Sequence, residues 1–261
     1  MNGTDSLVPA RWRVLSGSAL KLIAVVSMLI DHIGACFFSK SALRLSLLPG
    51  VSVSLYEAMR TVGRLAFPLY AFLLVEGFAH TRDRKKYALR LLVFALLSEL
   101  PWNLFHTAVW HYAKQNVMFT LLLGFLGCWV IERRRAQPAR STQWALALLG
   151  LLVLSIVLEA DFGASGFGFI LMLHLLRADA LGKTVLGSCI LSGRWRAGLA
   201  FIPINLYNGE RGFIRAAFSG CCFMPFTRCT CWCCISSASA PSAEARARSE
   251  TKRSETQRME S

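Results

Sequence analysis

The chain has 261 residues, of which 54% are hydrophobic and only 17% are charged, and its mean hydropathy is +0.46. This composition excludes an ordinary soluble domain, because several apolar runs approach the roughly 20 residues that a membrane helix needs. The formal net charge of +14 does not indicate nucleic-acid binding, since the Lys and Arg residues lie between the apolar runs and in the tail. We therefore predict a polytopic membrane protein whose partner is the lipid bilayer, with no nucleic-acid partner.

Seven apolar segments have the length or composition of membrane helices. They are residues 19–38, 59–79, 87–105, 116–131, 143–160, 165–176 and 184–207. The sixth is short for a span, and a Gly-Arg-Trp-Arg-Ala-Gly run at 193–198 interrupts the seventh, which is either a broken helix or two re-entrant pieces. The predicted fold class is all-α, a polytopic membrane helical bundle of about seven transmembrane helices.

Basic residues favour one end of the predicted spans. Segments 11–13, 81–86, 132–140 and 177–183 are rich in Arg or Lys, whereas segments 106–115 and 161–164 carry one Lys between them; segment 39–57 has two basic residues and fits less well. Because cytoplasmic loops are enriched in Lys and Arg, we expect residues 1–18 to be a cytoplasmic N-terminal segment. No small-residue cleavage site follows the first apolar run, so we expect that run to stay as an uncleaved anchor.

Two adjacent ionisable residues, Asp31 and His32, lie about two-thirds of the way along the first span. A charge in hydrocarbon costs roughly 2.5–3.5 kcal/mol on insertion scales, so such residues usually serve a purpose. In a catalytic interpretation, His32 accepts a proton from an attacking amine or hydroxyl, while Asp31 orients or charges the imidazole. In a structural interpretation, the pair locks helices together through hydrogen bonds.

The second span opens with Arg60 and Arg64, which are one helical turn apart. Arg64 is a natural partner for a buried carboxylate or for an anionic group of a substrate. Pro68 should kink the helix near mid-membrane. Glu76 lies near the cytoplasmic end of this span, where it either snorkels to the interface or binds substrate.

The third span places Glu99 and Asn103 one turn apart, with Pro101 between them, as the wall of a site. Glu99 is alternatively an ion-pair partner of Arg64, and Asn116 at the start of the fourth helix is either an interhelical donor or a ligand. Polar residues at 205–212, including Asn208 and Arg211, indicate substrate contact. The Gly-rich segment 159–168 indicates an ordinary turn, and His174 is either a second proton carrier or a core residue. The histidines lack ligand spacing, so no metal site is expected.

Several strings together resemble the TraX family of bacterial inner-membrane proteins. They are Ile-Asp-His at 30–32, Gly-Arg-Leu-Ala-Phe-Pro at 63–68, Glu-Leu-Pro-Trp-Asn at 99–103, Asn-Val-Met-Phe-Thr at 116–120 and Tyr-Asn-Gly-Glu-Arg-Gly at 207–212. The resemblance covers roughly residues 18–215 and implies a membrane domain at 19–215. The best-known member of the family N-acetylates conjugative pilin, and the family is similar to membrane acyltransferases that modify sugars and lipids. The resemblance therefore implies acetyl-CoA as donor substrate, and a pilin or a glycan as acceptor.

The composition changes abruptly after Arg215. Residues 216–261 are a Cys-rich stretch followed by a polar, low-complexity tail that is expected to be disordered. The family normally continues with a Phe-Tyr-Pro-x-His-Leu helix, and back-translation of 221–234 with TGC for Cys is compatible with such a helix in another frame. We hypothesise a reading-frame shift near Arg215, which would remove an eighth helix and reduce activity. Sequencing the locus tests this hypothesis.

From these residues we predict an integral membrane acyltransferase that acetylates an amine or hydroxyl from cytoplasmic acetyl-CoA. Asp31 and His32 are the predicted catalytic pair, and the predicted substrate-binding residues are Arg64, Glu76, Glu99, Asn103, Asn116, Asn208 and Arg211. Two alternatives remain open: a proton-coupled transporter with a relay through Asp31, His32 and Glu99, and a non-enzymatic assembly factor for conjugation.

Overall fold

The structure, a computed structural model, describes residues 7–37, 44–48, 51–107, 115–191 and 197–213. Within these ranges, side chains are described except at 36–37, 44–53 and 100–107. The predicted tail at 216–261 lies outside the described residues. The division into three segments and the frameshift hypothesis therefore stay predictions.

The described part of the chain is mostly helical, as the sequence predicts. Its helices are α1 (Gly17–Phe37), α2 (Leu55–Gly63), α3 (Ala66–His80), α4 (Arg84–Thr107), α5 (Val117–Ala136), α6 (Ser141–Val157), α7 (Gly163–Leu175), α8 (Ala180–Ile190) and α9 (Phe201–Asn205), with 3-10 turns at Ala10–Trp12 and Pro138–Arg140. The sequence did not indicate a short antiparallel hairpin of β1 (Arg44–Leu48) and β2 (Val51–Ser54), which lies between α1 and α2.

Three helical segments in the described ranges are long and apolar enough to cross a membrane: Gly17–Ala35, Leu55–His80 and Pro138–Val157. Helices α7 and α8 are apolar but shorter. The fold is thus consistent with a helical membrane protein, whereas the count of seven spans is not confirmed.

The second predicted span consists of two helices rather than one. Helix α2 ends at Gly63, and α3 begins at Ala66, after a turn at Arg64 and Leu65. Pro68 lies in the first turn of α3, where its missing N–H costs little because the first amides of a helix have no intrahelical acceptor. The break is therefore one turn earlier than the kink expected at the proline.

The seventh predicted span is also divided, and its two pieces turn back on each other. Asn205 of α9 donates to Thr184 Oγ1 of α8 at 3.1 Å. A Cβ at Gly198 would lie 3.6 Å from the Cβ of Ser188, and one at Gly187 would overlap the ring of Phe201. Because the contacting positions run in opposite directions along the two pieces, residues 180–191 and 197–205 pack antiparallel to each other. The choice between a broken helix and two re-entrant pieces stays a prediction.

Long-range contacts show that the helices alternate in direction. At one end, Leu15 pairs with Tyr207, and the carboxylates of Glu76 and Glu132 contact Arg177 and His174, respectively. The Arg- and Lys-rich segments lie at this end, which we call the basic end. At the other, opposite end, Asp31 contacts Arg60, Glu99 contacts Asn116, and Gln115 contacts Asp161. The loop charges are therefore segregated as the sequence indicates.

Apolar side chains face outward on several helices as well as inward. The core centres on α3, whose Leu69, Phe72 and Val75 are buried against α1, α5 and α7. On α6, by contrast, Leu146 is 63% and Val157 is 70% exposed. Such a large apolar surface is unfavourable in water but suits the hydrocarbon region of a bilayer. The exposed faces and the apolar helices together indicate a membrane protein.

Candidate functional site

The site at the opposite end begins with an unusually close contact between α1 and α2. A Cβ at Gly63 would overlap the carboxylate and Cβ of Asp31, and one at Gly34 would lie 2.8 Å from the Cβ of Met59. Small residues at such positions let two membrane helices approach closely. Gly63 therefore opens the space that the Asp31 side chain fills.

An ion pair crosses this contact. Arg60 donates from Nη1 to Asp31 Oδ2 at 2.5 Å, and the two side chains are 35% and 23% exposed. Charge-assisted hydrogen bonds of this kind are among the stronger ones in proteins. From the sequence, Arg64 was the expected partner of a buried carboxylate. In the structure, the arginine that bonds to the Asp31 carboxylate is Arg60.

Four other charged or titratable groups act electrostatically on the Asp31 carboxylate. In order of strength they are Arg60, His32, Arg64 and Asp161. Arg64 follows the last residue of α2, where its backbone N–H donates to the carbonyl of Arg60 at 3.2 Å. The helix break thus places a second guanidinium near the carboxylate without a direct ion pair to it among the described residues.

The imidazole of His32 is held by its own helix. Its Nδ1 lies 2.7 Å from the carbonyl oxygen of Met28, one turn earlier in α1. A carbonyl only accepts hydrogen bonds, so Nδ1 carries a proton, and in the neutral imidazole Nε2 is the basic nitrogen. The Met28 carbonyl thus helps to orient the ring, and Asp31 is the neighbouring residue with a negative charge.

Glu99 and Asn116 join α4 to the start of α5. Asn116 donates from Nδ2 to Glu99 Oε2 at 2.6 Å and to the Ala95 carbonyl at 2.9 Å. Its Oδ1 accepts from the amide of Met118 at 3.0 Å, which makes Asn116 the N-cap of α5. Asn116 is 3% exposed. Its hydrogen bonds link α4 to α5, so it has the interhelical role, which was one of the two roles predicted for it. Asn103 lies in α4, but its side chain is outside the described set.

Glu76 lies at the basic end, away from Asp31. Its side chain is 9% exposed and accepts two hydrogen bonds from Arg177, at 2.9 and 3.2 Å. These bonds raise the pKa of Arg177 above its ordinary value, so its guanidinium stays charged. The predicted role of Glu76 in substrate binding therefore belongs to a different part of the protein from Asp31 and His32.

Asn208 and Arg211 lie in a loop, 206–212, that pairs with the start of α1. Leu15 donates to the Leu206 carbonyl and accepts from the Asn208 amide, and Gly17 donates to the Glu210 carbonyl at 2.7 Å. The Asn208 side chain accepts from the Glu210 amide at 2.9 Å. Gly209 and Gly212 have φ values of 85° and 76°, which favour glycine. The Tyr-Asn-Gly-Glu-Arg-Gly string is thus a structural junction at the basic end.

His174 is 8% exposed in α7, and its Nε2 lies 3.4 Å from Glu132 Oε1. Its ring also packs edge-on against Phe78 at 5.3 Å. These contacts place it in the core near the basic end, remote from Asp31.

A cavity of about 350 Å³ lies between α6 and α7. It is lined by apolar residues: Ala145, Leu148, Leu149, Leu152, Phe167, Gly168 and Leu171. This lining offers no group for acid–base chemistry.

The sequence analysis did not select four charged residues that the structure places in polar clusters: Arg60, Asp161, Arg177 and Lys183. Arg60 had a usable signal, since it stands one turn from Arg64 at the start of the same segment. Asp161 and Arg177 lie in segments that sequence alone indicates as turns. Contacts between distant parts of the chain place Asp161 near Gln115 and Arg177 against Glu76, and the sequence does not show these contacts.

Comparison with known proteins agrees with the sequence resemblance. The family model "TraX protein" matches residues 16–211. The chain is also 31% identical over 229 residues to the "Probable fimbrial assembly protein FimC, serogroup H1" of Dichelobacter nodosus, an alignment that covers 78% of this chain and 88% of that protein. No solved structure matches. The chain therefore belongs to the TraX family.

Proposed function

We propose that this protein is a membrane acyltransferase with a pilus-related role, which transfers an acetyl group from acetyl-CoA to an amine or hydroxyl. The observation that carries the proposal is the position of His32, whose Nδ1 is bonded to the Met28 carbonyl and whose neighbour in α1, Asp31, is paired with Arg60. Family membership and the name of the fimbrial relative support the pilus-related role.

In the proposed reaction, His32 Nε2 takes the proton of the acceptor as its nitrogen or oxygen attacks the thioester carbonyl. A bond forms between the acceptor and the carbonyl carbon, the carbon–sulfur bond breaks, and the sulfur leaves with the proton returned by His32. Atoms and charge balance without a further reactant. Asp31 favours the transient imidazolium by its negative charge, and Arg64 is placed to stabilise the carbonyl oxygen as it becomes negative.

We further propose that the basic end faces the cytoplasm, in the bacterial inner membrane. The segregation of Arg and Lys residues to that end supports this orientation. Asp31 then lies about 21 Å from Gly17 along α1, toward the outer side. A pilin amino terminus or a glycan outside the cytoplasm is an acceptor that can approach His32 from there.

Label transfer tests the proposal against both alternatives. The full chain, reconstituted in neutral lipid, is incubated with labelled acetyl-CoA and the host pilin. We expect transfer to fall at least about 100-fold in His32→Ala, which is the usual loss for a general base, and to persist in His80→Ala. His80 is an exposed histidine at the basic end and serves as a matched control.

Two other results would favour the alternatives. Proton uptake that needs Asp31 and His32 but not acetyl-CoA would indicate a transporter. The hydrogen bonds between Glu99 and Asn116 do not favour Glu99 as a mobile relay group. Pilus assembly that requires the protein and is unaffected by His32→Ala would indicate an assembly factor, which the name of the fimbrial relative also fits.

A further inference from the structure

A second cluster of charged residues lies at the basic end, and the proposed reaction does not use it. It comprises Lys21 of α1, Glu76 of α3, Arg177 before α8, Lys183 of α8, and Tyr207 with Arg211 of the 206–212 region. We call it the basic-end cluster. The charges of Glu76, Arg177 and Arg211 act on the Tyr207 hydroxyl, and that of Arg211 acts on Lys21. The cluster therefore joins four separate parts of the chain around Tyr207.

Lys183 is the unusual member. It is 9% exposed, and among the described residues its ammonium has no hydrogen bond and no carboxylate within 4 Å. Its Nζ lies 5.7 Å from the ring centre of Phe72, whose ring packs edge-on against that of Tyr207 at 5.4 Å. Glu76 and Asp179 act on it only at longer range. Lys183 is thus a largely buried lysine whose ammonium has no ion-pair partner among the described residues, and such a position is costly in the absence of a ligand.

Two further features are unfavourable unless the cluster holds an anion. Lys183 occupies the first turn of α8, where the helix dipole favours negative rather than positive charge. In addition, the cluster holds four cations (Lys21, Arg177, Lys183 and Arg211) and one carboxylate (Glu76); Asp179 and Glu210 are the acidic residues nearest in sequence to its cations, and they leave one positive charge in excess. Glu76 is already bonded by Arg177. The excess of positive charge remains for a ligand.

We propose that the basic-end cluster binds a phosphate-bearing ligand and that Lys183 contacts its phosphate. If the acetyl transfer proposed above is correct, that ligand is coenzyme A. Lys21 is eleven residues before His32, so the two share a face of α1 about 16 Å apart. The phosphates would then be held at the basic end, while the long pantetheine arm carries the thioester toward His32. A phospholipid headgroup has the same chemistry and is the other source.

Binding of coenzyme A to the full chain in neutral-lipid nanodiscs is the first measurement. We expect Lys183→Met to weaken binding about tenfold or more and Lys85→Met, an exposed lysine at the same end, to leave it unchanged. Phosphate-free pantetheine should not compete. Higher salt should weaken binding of the wild-type chain. Lys21→Met, on a different helix, should also weaken binding, so the proposal does not depend on one variant folding.

A second arm replaces coenzyme A by phosphatidylglycerol in the nanodisc and measures thermal unfolding. Stabilisation of the wild-type chain but not of Lys183→Met, without coenzyme A binding, would assign the phosphate to a lipid. Equal coenzyme A affinity in wild type and both lysine variants, together with equal stabilisation by the lipid, would overturn the proposal. His32→Ala should keep coenzyme A binding while it loses transfer, so failure of the site and failure of the reaction are distinguishable.

Discussion

Gly63 is the residue on which the geometry of the Asp31 site most depends. Any side chain there would occupy the space of the Asp31 carboxylate. We expect Gly63→Ala to destabilise the protein by about 1–3 kcal/mol, the usual cost of overpacking, and to impair the site. Thermal unfolding in detergent measures this, with Gly150→Ala as the control. An added Cβ at Gly150 meets nothing within 4 Å, and equal effects of the two changes would contradict the close contact.

The ion pair between Arg60 and Asp31 has a separate test at the same scale. Arg60→Ala leaves a partly buried carboxylate without its bonded partner and should lower the unfolding temperature. The double variant Arg60→Ala with Asp31→Asn should recover part of the loss, because the unpaired charge is also removed. A coupling of at least about 0.5 kcal/mol is expected for contacting residues. Strictly additive losses would show that the two side chains do not interact.

At this scale the sequence selected Asp31 and His32 but did not predict their contacts. Asp31 and His32 stood out because ionisable residues are costly in an apolar helix. Arg60 and Arg64 are one turn apart, as the sequence indicates, and the Arg64 amide donates to the Arg60 carbonyl. Which of the two arginines bonds to Asp31 depends on how α2 packs against α1, and the sequence does not reveal that packing. Met28 had no signal, because its contribution is a backbone carbonyl.

Among the elements, the antiparallel packing of residues 180–191 against 197–205 makes the most specific prediction. A Cβ at Gly198 would be 3.6 Å from that of Ser188, within the range that disulfides require. Ser188→Cys with Gly198→Cys, in a background without the native cysteines, should cross-link on mild oxidation. Mass spectrometry of peptides detects the bond. Ser188→Cys with Leu199→Cys is the control, and cross-linking that does not discriminate between the pairs would rule out this packing.

The sequence indicated that this element is interrupted, because glycines and arginines divide 184–207. It left two forms open, because the contacts between the two pieces join residues that are far apart in sequence. Thr184 meets Asn205, and the 206–212 loop pairs with residues before α1. The same limit applies to Asn208 and Arg211, whose polar string indicated substrate contact and which the structure places in a loop that pairs with the start of α1. Local composition does not reveal such pairing.

For the whole molecule, segregation of charge predicts the orientation in the membrane. If the basic end is cytoplasmic, Lys85→Cys should react with an impermeant thiol reagent only in inverted vesicles. Asp161→Cys, at the opposite end, should react only in intact spheroplasts. Both positions are exposed, and the native cysteines are replaced in both variants. The reverse pattern would invert the proposed topology, and labelling of both sites from one side would contradict the alternation of helices.

The molecule as a whole combines two polar clusters at opposite ends of an apolar bundle. The Asp31–Arg60 pair with His32 lies toward one end, and Glu76, Arg177 and Lys183 lie at the other. The sequence placed Glu76 near the cytoplasmic end and Asp31 farther along its own span, but it did not bring Arg177 and Lys183 to Glu76, because those contacts join segments far apart in the chain. The membrane class and the family followed from composition and motifs. The number of spans did not, since only three segments of the described residues are long and apolar enough to cross a membrane, and α7 and α8 are shorter.

The most direct test of the central claim separates chemistry from packing at His32. His32→Gln replaces the imidazole with a polar side chain of similar size that is not a base. We predict that acetyl transfer falls at least about 100-fold, while the unfolding temperature and coenzyme A binding of the same preparation stay at wild-type values. Transfer at the wild-type rate in His32→Gln would contradict a catalytic role for His32.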